Sequence, residues 1–256
     1  MAERAGCELL GMKVAVLGST SGIGRAVALE LAAAGADVIV HGHTSRAKAD
    51  EVAGLVRGLG RRSAVLMADV ADPAAGPALV EAAWAEWEGL DAWLQVAGAD
   101  TLTGEGGRAP FEAKLDRLWA VDVAATIRLC RLVGRKMVAQ GHGSIVTTGW
   151  DQAETGMAGD SGELFAATKG AIMAFTRSLA LSLAPTVRVN ALAPGWIRTA
   201  WGDTASTPWQ ERVRRETPLA RWGTPDDVAA AARFLVDPRS SFWTGQVLRV
   251  NGGVVR

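Results

Sequence analysis

Residues 17–24 read L-G-S-T-S-G-I-G and stand between an apolar run, Val14 to Leu17, and a stretch of helical periodicity, Arg25 to Ala34. A strand that turns through glycines into a helix leaves few folds open. Gly18 can take the positive φ of a tight turn, Gly22 lets backbone approach a pyrophosphate, and Gly24 lets the helix pack closely on the strand. The free N–H groups of the helix's first turn, together with its dipole, draw in phosphates. Ser19, Thr20 and Ser21 add donors for the same anion, with Ile23 beside them. This stretch reads as the entry to a dinucleotide-binding unit.

The rest of the chain alternates strand and helix patterns with short connections. Strands are predicted at Ala36–Val40, Ser63–Ala68, Leu90–Val96, Gly143–Gly149, Val187–Leu192 and Gln246–Val250. Helices are predicted at Arg46–Leu59, Asp72–Glu88, from Pro110 onward, Ala120–Gln140, Leu164–Ala184 and Val228–Val236. Asp72-Pro73 and Thr224-Pro225 are good helix starts, a capping side chain followed by a proline whose missing N–H costs nothing there. Residues 101–110, T-L-T-G-E-G-G-R-A-P, read as a glycine-rich surface loop, and 196–222 as a segment covering the substrate. The pattern implies an α/β fold: one Rossmann-type domain over 1–256, a doubly wound parallel sheet of about seven strands with helices on both faces.

Composition removes several function classes. Lys plus Arg equals Asp plus Glu, at 27 each, so net charge argues for neither nucleic acid nor an anionic membrane surface. Cys7 and Cys130 are far apart and lack metal-ligand spacing; a reduced cytoplasmic protein without a metal site is expected. The first ten residues have no apolar core of signal-peptide length, and no apolar run reaches membrane-spanning length. A small molecule is the expected ligand.

Within the nucleotide site, Ala97 and Gly98 follow the fourth strand and let backbone run beside a cofactor. Asp69-Val70, at the end of the third strand, either contacts an adenine or caps local N–H groups. An NAD site usually has a carboxylate at the end of the second strand to accept from the ribose 2'-hydroxyl. Gly42 stands there instead, and no acid occurs between Asp37 and Asp50. His43, Thr44, Ser45 and Arg46 offer hydrogen bonds and positive charge to a 2'-phosphate, so NADP(H) is favoured over NAD(H); the alternative is that Arg46 simply begins a solvated helix.

Over nearly its whole length the chain resembles the short-chain dehydrogenase/reductase family, above all its bacterial oxoacyl-carrier-protein-reductase-like members. The resemblance rests on an ordered series: the glycine loop, Asp69-Val70, Gln95-Val96-Ala97-Gly98 in place of N-N-A-G, and Lys169 of Y-x-x-x-K. It continues through Asn190, Pro194-Gly195, Ile197 and Thr199 of the V-N-x-x-x-P-G-x-x-x-T run, to T-G-Q-V-L-R-V-N-G-G at the terminal strand. The resemblance implies that Pro194, Gly195, Ile197 and Thr199 border the cofactor and that Lys169 binds the nicotinamide ribose. It also implies a homo-oligomer, a tetramer or dimer, formed through the two long helices and the terminal strand.

In the family a serine and a tyrosine hold and protonate the substrate carbonyl, and an asparagine supports a proton-relaying water. Here Phe165 occupies the tyrosine position, Trp150 the serine position and Asp122 the asparagine position, with Gln152 a second contender for the serine. The chain contains no tyrosine at all, so no shift of register restores one. Hydride delivery to a carbonyl develops charge on oxygen that must be stabilised and protonated, and a phenyl ring has no exchangeable proton. Losing a general acid typically costs roughly 10²- to 10⁴-fold.

Two readings follow. The first is a carbonyl or imine reductase with replaced acid/base groups: Asp151 or Glu163 from the acidic stretch 150–164, or Asp122 through water. Asp151, Glu154, Asp160 and Glu163 have no basic residue among them, and the stretch either borders the ligand crevice or is solvated. The second is an inactive homologue, a nucleotide-binding regulatory or structural subunit that could pair with an active relative. Trp150, Trp196 and Trp201 either line a pocket or fill one that was lost.

Overall fold

The computed structural model describes residues 8–254, so Cys7 and the reading of the first residues lie outside it. Strands β1 (Lys13–Leu17), β2 (Asp37–Gly42), β3 (Ser63–Met67), β4 (Ala92–Gln95), β5 (Gly143–Thr148), β6 (Val187–Pro194) and β7 (Val247–Val250) form one sheet. Their order is β3-β2-β1-β4-β5-β6-β7 and every pairing is parallel. The chain leaves β1 toward β2 on one side and reaches β4 on the other. A crevice therefore opens at the carboxyl ends of β1 and β4.

Alternation along β1 explains why both faces are covered. Val14 and Val16 point into a core with Val27, Ala28 and Leu31 of α1 (Gly22–Ala33), Val52 and Val56 of α2 (Arg46–Gly58), and Val228 and Leu235 of α10 (Pro225–Val236). Ala15 and Leu17 point the other way. There they meet Leu79 and Val80 of α3 (Ala75–Trp87), Leu129 and Val133 of α6 (Ala125–Gln140), and Leu179 and Leu183 of α7 (Asp160–Leu183). The doubly wound arrangement read from the sequence is the one found. Trp84 and Trp87 pack partly buried beside this second core.

Several boundaries differ from expectation for local reasons. The α3 helix begins at Ala75 rather than Asp72, because the Asp72 carboxylate accepts from the Ala74 N–H at 2.8 Å and holds a turn there. The stretch expected as a loop at 101–110 contains a short helix, α4 (Gly104–Arg108). The two helices expected from Pro110 and from Ala120 are one rod: α5 (Phe111–Leu118) passes through a π-helical turn, Trp119–Ala124, into α6 without leaving right-handed helical dihedrals. The turn carries Asp122 and buries it. The α7 helix starts at Asp160, not Leu164, so Glu163 lies in its first turn. The segment expected to cover the substrate contains two helices, α8 (Ala200–Thr204) and α9 (Thr207–Glu216). The α10 helix has the anticipated start: Thr224 and Asp227 bond each other's backbone N–H in a capping box.

Candidate functional site

Two cavities meet above the carboxyl ends of the strands. The first, about 610 Å³, runs from the glycine loop past Asp69 and Val70 to Asp122 and Lys169. The second, about 460 Å³, lies toward α8 and α9. Phe165 and Lys169 belong to both and mark the junction.

The glycine loop is built as its sequence requires. Gly18 has φ of +76°, and a Cβ there would lie 2.6 Å from the Ala97 Cα. A Cβ on Gly24 would lie 2.2 Å from the Gly18 carbonyl oxygen. Only glycine lets α1 approach this closely. Ser21 caps α1 without a side-chain bond, which leaves the first-turn N–H groups facing the cavity that Thr20, Ser21, Gly22 and Ile23 line. Ser19 departs from expectation. Its hydroxyl is fully buried, donating to the Val16 carbonyl at 2.8 Å and accepting from the His41 N–H at 3.0 Å, so it braces the loop rather than offering a donor to an anion.

His41 is a site residue that the sequence reading missed. Its Nδ1 accepts from the Gly18 N–H at 3.2 Å, and burial lowers its pKa to about 4, so the ring is neutral and holds the loop as an acceptor. Its position in a strand of apolar neighbours was the available signal.

At the far end of β2, a Cβ on Gly42 would lie 3.0 Å from Thr20 Cγ2 and 3.1 Å from Met67 Sδ. The packing leaves little room for a carboxylate at this position. His43 lines the cavity, with Nε2 3.5 Å from Asp69 Oδ2. Thr44, Ser45 and Arg46 do not line it. Ser45 caps α2, accepting from the Lys48 N–H at 3.3 Å, and Arg46 Nε lies 3.0 Å from Asp50 Oδ1 on an exposed face. As in the alternative reading, Arg46 begins a solvated helix here, and an i,i+4 pair with Asp50 takes up its charge.

The opposite end joins residues distant in sequence. Lys169 Nζ lies 2.9 Å from Asp122 Oδ2 and donates to the Thr148 carbonyl at 3.3 Å. Asp122 Oδ1 accepts from the Ala99 N–H at 2.8 Å, tying the Gly98–Ala99 peptide to the same carboxylate. The Asp122 side chain is 1% exposed and that of Lys169 11%, so the pair is shielded from water. Phe165 stands one helical turn before Lys169 on α7, with its ring 6.2 Å from that of Trp150.

Trp150 lines the second cavity, along with Pro194, Gly195, Ile197 and Thr199. Gln152 is buried and does not line it, so Trp150 is the residue facing the cavity. Trp196, Trp201 and Trp209 complete the wall, with Trp196 5.4 Å from Trp209 and Trp201 5.6 Å from Trp209 by ring centroids. Ser161, two helical turns before Lys169, also faces this space. The i, i+4, i+8 spacing of Ser161, Phe165 and Lys169 was the sequence signal for it.

Of the two readings of the acidic stretch, the solvated one fits Glu154, Asp160 and Glu163, which are exposed and line neither cavity. Glu154 is paired with Arg177 at 2.7 Å and with Arg249, both brought in from other elements. Asp151 is fully buried, but beneath Gly195, with Oδ2 accepting from Asn251 Nδ2 at 3.2 Å. Burial raises its pKa to about 6, the direction anticipated for a replacement acid, yet it too lines neither cavity. Of the three candidate replacement acids, Asp151, Glu163 and Asp122, it is Asp122 that reaches the junction. No group of three or more metal-ligating side chains occurs among the described residues, and no helix there is long and apolar enough to cross a membrane.

Residues 18–255 match the family model described as enoyl-(acyl carrier protein) reductase. A 3-oxoacyl-[acyl-carrier-protein] reductase of Aquifex aeolicus is 33% identical over 256 residues, covering 96% of this chain and 98% of that one. A gluconate 5-dehydrogenase from Burkholderia cenocepacia, solved in complex with NADP and tartrate, superposes with a TM-score of 0.86 at 29% identity, covering 96% of both chains. A 7α-hydroxysteroid dehydrogenase complexed with NADH and 7-oxo glycochenodeoxycholic acid gives a TM-score of 0.87 at 29% identity, covering 96% of this chain and 95% of that one.

Proposed function

The chain belongs to the short-chain dehydrogenase/reductase family, and from that premise we propose that it is a reductase of carbonyl or imine compounds that binds NADP(H) and works without the family's tyrosine and serine. The observation that carries this reading is the junction of the two cavities at Phe165 and Lys169. A nucleotide cleft that opens onto a formed, aromatic-walled chamber favours an enzyme over a nucleotide-binding subunit. The uncapped α1 terminus and the Gly18–Gly24 cradle fit a pyrophosphate. His43 and Asp69 fit the adenosine end, and Lys169 fits the nicotinamide ribose.

When bound, the reduced nicotinamide supplies the hydride. The chain's own residues orient and screen. Asp122 fixes the Ala99 N–H and the Lys169 ammonium, so the amine is held where the two cavities meet. Phe165 and Trp150 exclude water from that point, which strengthens every electrostatic interaction there. Residues 196–222 are taken as the cover, with α8 and α9 carrying Trp201 and Trp209 over the chamber.

NADP(H) over NAD(H) is supported by Gly42, where a carboxylate would crowd Thr20 and Met67. Arg46 must exchange Asp50 for the 2'-phosphate to contribute. A homo-oligomer is supported by the exposed Leu181, Phe242 and Trp243 on and beside α7 and the edge strand β7. The buried free Cys130 fits a reducing, cytoplasmic setting.

The test is NADPH consumption across a panel of carbonyl and imine compounds, repeated with Lys169→Met and with Glu163→Gln. Turnover is expected to fall by roughly 10²-fold for Lys169→Met, as for a misplaced nicotinamide, and to be unchanged for Glu163→Gln. Turnover that survives Lys169→Met, or is lost with Glu163→Gln, contradicts the proposal.

A further inference from the structure

We infer that the substrate reaches this site as a cation: an iminium or N-alkylated nitrogen heterocycle on a flat aromatic body. The inference rests on the reductase reading above and goes beyond it by naming the substrate class. Three independent features of the junction point the same way.

The first is the wall. Trp150, Phe165, Trp196, Trp201 and Trp209 surround the chamber, and aromatic faces attract a positive charge placed over them. Arg212 already uses one of these rings in this manner, with its guanidinium carbon 4.7 Å from the Trp209 centroid.

The second is charge. The ammonium of Lys169 would repel a cation at the junction, but Asp122 lies 2.9 Å from it and balances it inside the protein. Lys114, the other cation lining the chamber, turns its Nζ onto the Gly107 carbonyl at 2.9 Å. The attraction for a cation therefore comes from the rings, with Asp122 cancelling the repulsion from Lys169. It does not come from the acidic stretch, where Glu154 is already paired with two arginines.

The third is the proton. Hydride addition to a carbonyl leaves an alkoxide that must collect a proton, and neither the phenyl of Phe165 nor the indole of Trp150 is an acid that can give one. Hydride addition to an iminium needs no proton. The hydride from the dihydronicotinamide forms the new C–H bond, the C=N π pair settles on nitrogen, and the cation becomes a neutral amine. The nicotinamide leaves oxidised. The reaction class that needs no proton, at a site without the family's tyrosine, is thus also the one whose substrate suits an aromatic wall.

The experiment uses the purified protein and two bicyclic probes of similar shape, N-methyl-dihydroisoquinolinium and the neutral ketone tetralone. Binding is read from tryptophan fluorescence and calorimetry without nucleotide, and NADPH binding is measured on the same preparation. The iminium is expected to bind at least about tenfold more tightly than tetralone, as one desolvated cation–π contact allows. Asp122→Asn should lower that preference about tenfold by leaving Lys169 uncompensated. Trp209→Leu, further from the buried pair, should lower it as well. With NADPH present, the iminium should be consumed and tetralone left. Equal or tighter binding of tetralone, or a preference unmoved by both substitutions, overturns the inference. Failure of NADPH itself to bind would instead overturn the reductase reading, so the two failures are told apart.

Discussion

Breaking the Asp122–Lys169 pair is expected to cost more than either side chain's size suggests. At 2.9 Å, and with an effective dielectric of about 20, the gross attraction is about 6 kcal/mol. Desolvation of both groups offsets part of it, so a coupling of about 2–4 kcal/mol is expected to remain. Asp122→Asn preserves an acceptor for the Ala99 N–H but leaves the ammonium unpaired, and should cost about 3 kcal/mol. Lys169→Met leaves a carboxylate that is 1% exposed and should cost about 3–5 kcal/mol. The double substitution removes both charges and should cost clearly less than the sum. Urea unfolding of the four proteins closes the cycle, and thermal melting checks it, at roughly 2–4 °C per kcal/mol for a domain of this size. A coupling below about 0.5 kcal/mol would refute the view that this pair is shielded and mutually compensating.

Two buried groups are expected to act oppositely on stability as pH changes. His41 has its pKa lowered from 6.5 to about 4, so the unfolded chain binds its proton first and stability is lost as pH falls from 6.5 toward 4, by up to about 3 kcal/mol. Asp151 has its pKa raised from 3.8 to about 6, so stability is lost as pH rises through that window. Asp151→Asn should therefore stabilise the protein by up to about 3 kcal/mol above pH 6, with the gain fading toward pH 4, as measured by urea melts across pH; a gain that grows on acidification would contradict this. Gly24→Ala places a Cβ 2.2 Å from the Gly18 oxygen; it should cost about 1–3 kcal/mol and abolish NADPH binding in calorimetry, and unchanged binding would contradict the cradle.

The parts legible in the sequence are those whose cause is local. Glycines at 18, 22 and 24 announce the turn because each answers a backbone need within a few residues, and the parallel strands announce themselves as apolar runs between turn signals. The late start of α3 was concealed by Asp72, which resembles a helix cap and instead closes a turn on Ala74. The π-helical turn at Trp119–Ala124 has no residue of its own to signal it. It follows from packing, and it is what carries Asp122 inward. The pairing of Asp122 with Lys169, and of Glu154 with Arg177 and Arg249, joins segments far apart in the chain. Charge read along the chain therefore left both an acidic crevice and a solvated stretch open, whereas in the fold Asp122 and Glu154 are compensated from distant segments. Composition alone shows that the chain has no tyrosine, the resemblance puts Phe165 at that position, and the structure adds that Trp150 lies against Phe165.

The most direct measurement of the central claim is a calorimetric titration of the purified protein with NADPH and, separately, with NADH. Tight binding of NADPH and weaker binding of NADH is expected, with the difference reduced by Arg46→Gln. Binding of neither nucleotide would contradict the claim that the cleft between β1 and β4 serves a reductase.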